Sequence, residues 1–209
     1  MEVINAKIRQ GNLPKRPHLR LENRCWNSGY KIVAGIDEVG RGAWAGPVVA
    51  AAVVLFNEVE GLKDSKQLTP IKRNRLCDVI LENGIAGIGI SSNVEVDEIN
   101  VHQASLLAME RAISNLEIKP SNIFVDGKFG LNIDIPNHPI IGGDKKCFLI
   151  SAASIVAKVY RDNLMHEMDI EYPGFNFSKH KGYPTAEHLN LIKEFGPSKI
   201  HRMTFKGVK

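Results

Sequence analysis

The order of strand and helix patterns constrains the fold of this chain more than any other feature of its sequence. Two strand-like runs come first, at residues 31–37 and 48–56, and a glycine-rich segment joins them. Beyond them, apolar residues at helical spacing alternate with short apolar runs. The predicted elements that follow are a helix over 69–83, a strand at 85–91, a helix over 97–116, strands at 122–125 and 139–141, a helix over 149–164 and a helix over 185–195. This order is typical of a mixed α/β sheet with helices packed on it.

The length and charge of the chain fit one domain with a basic N-terminal segment. A chain of 209 residues is long enough to bury a core, and its 27 lysines and arginines exceed its 23 acids. That surplus suits a polyanionic partner without requiring one. The charges near the N-terminus are Lys7, Arg9, Lys15, Arg16, Arg20, Arg24 and Lys31, against Glu2 and Glu22. We expect residues 1–30 to form a basic arm, either mobile or a short helix, and residues 31–209 to form the folded domain.

Cysteine usage and hydropathy indicate a soluble, cytoplasmic protein with no membrane partner. Cys25, Cys77 and Cys147 are widely separated and form neither a paired framework nor a zinc-binding pattern. The longest apolar run, at 47–56, is much shorter than the ~20 residues of a membrane-spanning helix. The first residues also lack the apolar core of a signal peptide.

Four acidic residues lie where predicted strands end. They are Asp37 and Glu38 after the first strand, Asp126 after the strand at 122–125, and Asp144 after the strand at 139–141. Loops at strand ends are where α/β folds commonly build their sites. Clustered carboxylates repel one another and need cations, and hard oxygen ligands favour Mg²⁺ or Mn²⁺. Two such ions about 3.5–4 Å apart can activate water and stabilise the leaving oxygen of a phosphodiester.

Each acid also has a simpler interpretation. An Asp-Gly pair after a strand is commonly a turn, and an Asp-Glu pair in a loop is commonly solvated charge. Adjacent residues on a regular strand point to opposite faces, so Asp37 and Glu38 can share a site only if the strand ends there. Gly40 favours such an end. The adjacent Gly-Arg-Gly segment favours a phosphate-binding loop, although by itself it also fits a tight turn with Arg41 in solvent.

The segment from Gly35 to Ala52 closely resembles the signature of bacterial ribonuclease HII. Further segments resemble the same family in the same order. They are Asp64-Ser65-Lys66-Gln67-Leu68, Asp97-Glu98-Ile99-Asn100 with the helix after it, Val125-Asp126-Gly127, Gly143-Asp144, residues 151–162, His180-Lys181-Gly182-Tyr183-Pro184-Thr185, and His201-Arg202. Together they cover residues 31 to about 205. The chain is therefore identified, by resemblance, as a member of the type 2 ribonuclease H family.

The resemblance implies a fold and a set of site residues. The fold would be ribonuclease H-like, a mixed five-stranded sheet flanked by helices, with a helical C-terminal extension. The metal ligands would be Asp37, Glu38, Asp126 and Asp144. The loop Gly40-Arg41-Gly42 would contact the ribonucleotide 2′-OH mainly through backbone groups, and that hydroxyl is what separates RNA from DNA. Tyr183 would pack on the sugar at the RNA-to-DNA junction; without its motif it would be an ordinary half-buried tyrosine.

The resemblance also implies a reaction. Two Mg²⁺ or Mn²⁺ ions would assist hydrolysis of RNA–DNA hybrids and of ribonucleotide-containing duplex DNA, on the 5′ side of a ribonucleotide. The products would carry a 3′-hydroxyl and a 5′-phosphate. No side chain is an obvious general base, and divalent ions lower the pKa of water enough to dispense with one. The family further suggests a monomer.

Four residues have two interpretations of equal weight. Lys66, Ser151, Lys158 and Arg161 could contact the phosphate backbone, or they could be surface charges and a helix-packing serine. The sequence also departs from the family at Ala43 and Trp44, where proline or a small residue and leucine are more usual. At Gly142, lysine is more usual, so one substrate contact could be lost there.

Three alternative families remain for comparison. Type 3 ribonuclease H shares the core, but it usually has Gly-Lys-Gly at this loop and a folded N-terminal substrate-binding domain that thirty weakly patterned residues are too few to form. A non-catalytic hybrid-binding module would lack a carboxylate, and all four are present here. Resolvases and transposases share scattered acids but not the Tyr183 region.

Overall fold

The computed structural model describes residues 17–62 and 68–208. Its helices are α1 (Arg20–Asn27), α2 (Pro70–Glu82), α3 (Asn93–Ser114), α4 (Phe148–Glu171), α5 (Phe177–His180) and α6 (Ala186–Phe195). Its strands are β1 (Val33–Val39), β2 (Val48–Leu55), β3 (Gly84–Ser91), β4 (Asn122–Asp126) and β5 (Asn137–Ile140). A short 3₁₀ turn, Gly143–Lys145, precedes α4. The predicted α/β class is therefore confirmed, and the predicted helical C-terminal part corresponds to α5 and α6.

The five strands form one mixed sheet in the order β3-β2-β1-β4-β5. The β1–β2 and β2–β3 pairs are antiparallel, whereas β4 runs parallel to β1 and to β5. Helix α3 covers one face, and α2 and α4 cover the other. Because both faces are covered, β2 is apolar along almost its whole length instead of alternating. At Gly35 on β1, a Cβ atom would collide with the Leu149 backbone, so glycine lets α4 lie directly on the sheet.

The bounds of three elements differ from the sequence prediction, and the structure gives the reason for two of them. Strand β1 continues to Val39 instead of ending at Asp37, because its antiparallel pairing with β2 extends to Val39. Helix α3 begins at Asn93, four residues before the predicted start, because Ser92 and Glu95 form a reciprocal capping box. Helix α4 extends beyond the predicted residue 164 to Glu171.

The N-terminal segment is described from residue 17 onward, and there it includes helix α1. Leu21, Glu22 and Cys25 are buried against the domain. The Glu22 carboxylate accepts hydrogen bonds from the Cys147 thiol and the Leu149 amide, each at 3.0 Å. Since Cys147 provides no side-chain cap for α4, Glu22 caps that helix from another part of the chain. Burial raises the pKa of Glu22 above its ordinary value of 4.5.

Within the described residues, no helix combines the length and the apolar character that a membrane crossing would need.

Cys25, Cys77 and Cys147 are all free and buried.

The burial of Glu22 predicts how stability depends on pH. A carboxyl whose pKa is higher in the folded state favours folding while it is protonated, and this contribution is lost as the pH rises from about 4.5 through the folded-state pKa. Relative to a Glu22→Gln variant, which retains an acceptor oxygen, the wild type should lose stability over that range. Urea unfolding of both proteins between pH 4.5 and pH 8 measures this difference. Parallel stability curves would contradict the prediction.

Candidate metal and active site

The site forms where two neighbouring parallel strands end. Ile36 on β1 pairs with Val125 on β4, so the next residues, Asp37 and Asp126, lie side by side. Because side chains alternate along a strand, both carboxylates point toward the face that α4 covers. Asp37 is buried, and burial together with the charges of Glu38 and Asp126 raises its pKa well above the ordinary value.

Glu38 joins this pair although β1 does not end before it. The first strand was expected to be ending at these two acids, with Gly40 beyond it, and β1 ends one residue after Glu38, at Val39. Because β4 ends at Asp126, no strand of the described structure lies beside Glu38 on the β4 side of β1. Asp37, Glu38 and Asp126 each place a carboxylate oxygen within 4.8 Å of the others. We call these three residues the carboxylate cluster.

Asp144 lies on the 3₁₀ turn, buried beside the cluster but outside the three-residue group. The Gly143 amide before it donates a 2.6 Å hydrogen bond to Asp126 Oδ1. A Cβ atom at Gly143 would lie 2.5 Å from Ile150 Cδ1 of α4 and 3.2 Å from Asp126 Oδ1, so a side chain there would crowd the turn against both. Gly142, where the family more often has lysine, has a φ of +63° that favours glycine.

The charges of the cluster are compatible with a divalent cation. Burial, partly offset by the Gly143 amide, raises the pKa of Asp126 to about 6. The Oε2 atom of Glu38 is buried and has no hydrogen-bond partner within the described structure. An unpartnered carboxylate oxygen beside two acids is costly in a protein interior, and a hard cation would satisfy it. The donor set of carboxylate oxygens therefore fits Mg²⁺ or Mn²⁺.

Two buried arginines fix the backbone of the glycine-rich loop, residues 40–47. Arg161 of α4 donates to the carbonyl oxygens of Pro47, Ala45 and Lys181 at 2.9–3.2 Å. Arg202 donates to the carbonyls of Gly46 and Arg41 at 2.8–3.0 Å. The loop is therefore held by hydrogen bonds to both α4 and the C-terminal segment.

Inside the loop, individual residues have distinct roles. Gly40 has a φ of +94°, and a Cβ atom there would collide with the Arg161 side chain. Arg41 is exposed and forms a 2.9 Å ion pair with Glu38. Nothing lies within 4 Å of a Cβ atom added at Gly42, so the fold does not require glycine there. Its absent side chain leaves the backbone accessible from the cavity.

The carboxylate cluster and the loop line one cavity of about 490 Å³. Its lining residues are Asp37, Glu38, Val39, Gly40, Arg41, Gly42, Asp126, Asp144, Ser154, Lys158 and Tyr183. The Tyr183 ring lies 5.3 Å from the Arg161 guanidinium carbon and 5.9 Å from Lys158 Nζ. The structure thus brings the four predicted acids, the loop and Tyr183 together.

The four proposed phosphate contacts have different positions. Lys158 lines the cavity and forms a 2.6 Å ion pair with Asp162. Ser151 and Arg161 are fully buried, which corrects their interpretation as phosphate contacts, since neither side chain is accessible to a substrate. Ser151 lies on the buried side of α4, and the Arg161 guanidinium donates its hydrogen bonds to backbone carbonyl oxygens, including that of Pro47 in the loop. Lys66 lies outside the described residues.

Three supporting features of the site were not predicted from the sequence. Ser154 lies in the cavity and hydrogen-bonds Asp37. Arg202 was noted only as part of a motif, because its partners are about 160 positions away in the chain. The Nε2 atoms of His188 and His201 lie 3.0 Å apart beneath the loop. Burial lowers the pKa of each imidazole to about 4, so both are neutral near pH 7. Only the recurrence of histidine in the last thirty residues hinted at this packing.

The fold and the site together define a class of protein. A mixed five-stranded sheet of this topology with these acids at its strand ends is a ribonuclease H-like fold. The ribonuclease H2 from Pyrococcus horikoshii OT3 superposes on it with a TM-score of 0.71 at 28% identity, covering 85% of this chain and 95% of that one.

Sequence comparison identifies the family more closely. The profile of ribonuclease HII matches residues 34–208. Ribonuclease HII of Thermotoga maritima is 56% identical over 179 residues, which cover 86% of this chain and 75% of that protein. Ribonuclease HII of Geotalea uraniireducens is 48% identical over 199 residues, covering 93% and 92%. The chain belongs to the ribonuclease HII family and is a type 2 ribonuclease H, as its motifs predicted.

The role of Arg161 can be tested by Arg161→Lys. A lysine cannot span three carbonyl groups, so at least one buried carbonyl loses its partner, which costs about 1–3 kcal/mol. We expect the free energy of unfolding to fall by that amount in urea titrations. Arg75→Lys, at an exposed position of α2, is the matched control and should be neutral. Equal stability of the two variants would contradict the positioning role.

Proposed function

We propose that this enzyme hydrolyses the RNA strand of RNA–DNA hybrids and cuts on the 5′ side of single ribonucleotides in duplex DNA. The products would carry a 3′-hydroxyl and a 5′-phosphate, and the reaction would serve ribonucleotide removal. The observation that carries the proposal is the single cavity lined by the four acids, the glycine-rich loop and Tyr183. A phosphodiester beside the acids would have the loop and the tyrosine within reach of its sugars.

The acids would hold two divalent ions, Mg²⁺ or Mn²⁺. Asp37 and Asp126 are held rigidly by paired strands, Glu38 contributes its unpartnered oxygen, and Asp144 approaches from the 3₁₀ turn. Bound divalent ions would supply an activated water and charge stabilisation at the leaving oxygen. The protein's own contribution is to hold the carboxylates in place before substrate arrives, so that little reorganisation accompanies the reaction.

Recognition of the ribonucleotide would come from the loop and from Tyr183. The backbone at Gly40-Arg41-Gly42 faces the cavity, and the arginine contacts described above hold it in one conformation. A fixed peptide group can hydrogen-bond a 2′-OH, which DNA lacks at that position. The Arg161 guanidinium lies against the Tyr183 ring, and we propose that this ring packs on the sugar at the RNA-to-DNA junction.

Lysines would complete the binding of the polyanionic strand. Lys158 lies at the cavity wall beside Tyr183, where it can approach a phosphate. Lys66 and the basic residues before Lys31 would extend this contact along the backbone of the duplex. The enzyme would act as a monomer, because one chain lines the whole of the proposed site, and we place its action in the cytoplasm as part of the same proposal.

The test is cleavage of a labelled DNA duplex that contains one ribonucleotide, with Mg²⁺ or Mn²⁺ present. We expect a cut on the 5′ side of the ribonucleotide by the wild type and a loss of at least about 10³-fold in rate for Asp126→Asn. Asp78→Asn, at an exposed aspartate of α2, is the matched control and should cut normally.

Two outcomes would contradict the proposal. Cleavage of long hybrids without cleavage at a single ribonucleotide would indicate the behaviour of a type 3 enzyme. Binding of both substrates without cleavage of either would show that the carboxylates are structural.

A further inference from the structure

A second cavity, of about 380 Å³, adjoins the carboxylate cluster. Glu38, Arg41 and Asp126 line both cavities, whereas Tyr183 lines only the first. The two cavities therefore meet at the carboxylates, and the second lies on the side away from Tyr183. A nucleic-acid strand whose phosphodiester lies at the carboxylates would therefore extend into one cavity in each direction.

The walls of the second cavity include exposed apolar side chains close to the acids. Phe129, in the loop after β4, is 58% exposed, and Ile141 is 46% exposed. The ring of His102 on α3 lies 4.9 Å from the Phe129 ring, at a tilt of 58°. An aromatic pair with one exposed ring, next to the carboxylate cluster, is a suitable surface for a nucleotide, because every base and sugar offers an apolar face.

The loop that carries Phe129 is fixed in place. Leu131, two residues later, is buried in the core. The Asn137 side chain accepts a hydrogen bond from the Leu131 amide at 2.8 Å and donates to the carbonyls of Leu131 and Ile135 at 3.1 and 3.0 Å. The exposure of Phe129 is therefore imposed by an anchored loop.

A strained residue positions the other side of the aromatic pair. Asn100, inside α3, has a φ of +66°, a backbone conformation that residues other than glycine adopt only with strain. Its Oδ1 atom accepts hydrogen bonds from the amides of His102 and Gln103, so the helix restarts there. Strain of this kind clusters at binding sites. Here the kink sets the direction of the helix segment whose first turn carries His102.

We propose that the second cavity binds the nucleotide on the 5′ side of the scissile phosphate. The Phe129 and His102 rings would pack on its sugar and base, and Lys128 would lie near its phosphate. The inference rests on the proposed cleavage 5′ to a ribonucleotide. If Tyr183 contacts the strand on the 3′ side of the ribonucleotide, the 5′ side of the strand runs from the carboxylates away from Tyr183 and into the second cavity.

The test compares Phe129→Ala with Phe56→Ala, a matched control because Phe56 is also exposed, at 61%, and lies outside both cavities. On a duplex with one ribonucleotide, we expect kcat/KM to fall about tenfold or more for Phe129→Ala, the loss typical of one base–aromatic contact. Phe56→Ala should match the wild type. Thermal unfolding should be the same for all three proteins.

A second substrate locates the contact. An abasic deoxyribose immediately 5′ to the ribonucleotide should reduce the penalty of Phe129→Ala, because the base that the ring contacts is missing. An abasic site two nucleotides to the 3′ side should leave the penalty unchanged. An unaffected Phe129→Ala, or a penalty independent of the abasic position, would overturn this inference while wild-type cleavage stands. An inactive wild type would overturn the proposed function as well.

Discussion

The repulsion among closely spaced buried carboxylates is the constraint on which the rest of this site depends. Asp37 and Asp126 lie side by side because neighbouring parallel strands place them so, and Glu38 adds a third charge. Burial raises the pKa of both aspartates. Such an arrangement lowers the stability of the free protein, and it persists because the paired strands leave the side chains no alternative position. Its benefit is a set of oxygen ligands already assembled for divalent cations.

The second constraint is the placement of the loop against these acids. A loop whose carbonyls were satisfied only by water would sample many positions, and the 2′-OH contact proposed for this loop would require one. Arg161 and Arg202 remove this freedom by donating to five loop and neighbouring carbonyls from two distant parts of the chain. The C-terminal segment thus contributes to the site although none of its side chains after Tyr183 lines the cavity. The same buried arrangement includes the neutral pair His188 and His201.

Much of the fold could be predicted from local patterns, because alternation and helical spacing record which faces are buried. The four acids could also be found, since each lies near the end of a strand whose position was predictable. What the sequence could not provide was side-chain accessibility. Ser151 and Arg161 have the polarity of phosphate contacts, and only the packing of α4 on the sheet and on the glycine-rich loop shows that both are buried. The kink at Asn100 was also invisible, because the capping hydrogen bonds that create it lie within an otherwise helical pattern.

The central claim is that the carboxylate cluster is assembled against its own repulsion in order to bind divalent ions. The most direct measurement is the thermal unfolding midpoint of the wild type and Asp37→Asn, first without divalent ions and then with Mn²⁺. Asp78→Asn serves as the control. Without ions, Asp37→Asn should unfold a few degrees above the wild type, where 1 kcal/mol corresponds to about 2–4 °C for a chain of this size. Mn²⁺ should raise the wild-type midpoint and have a much smaller effect on the variant. A variant less stable than the wild type without ions, together with no response of the wild type to Mn²⁺, would contradict the account.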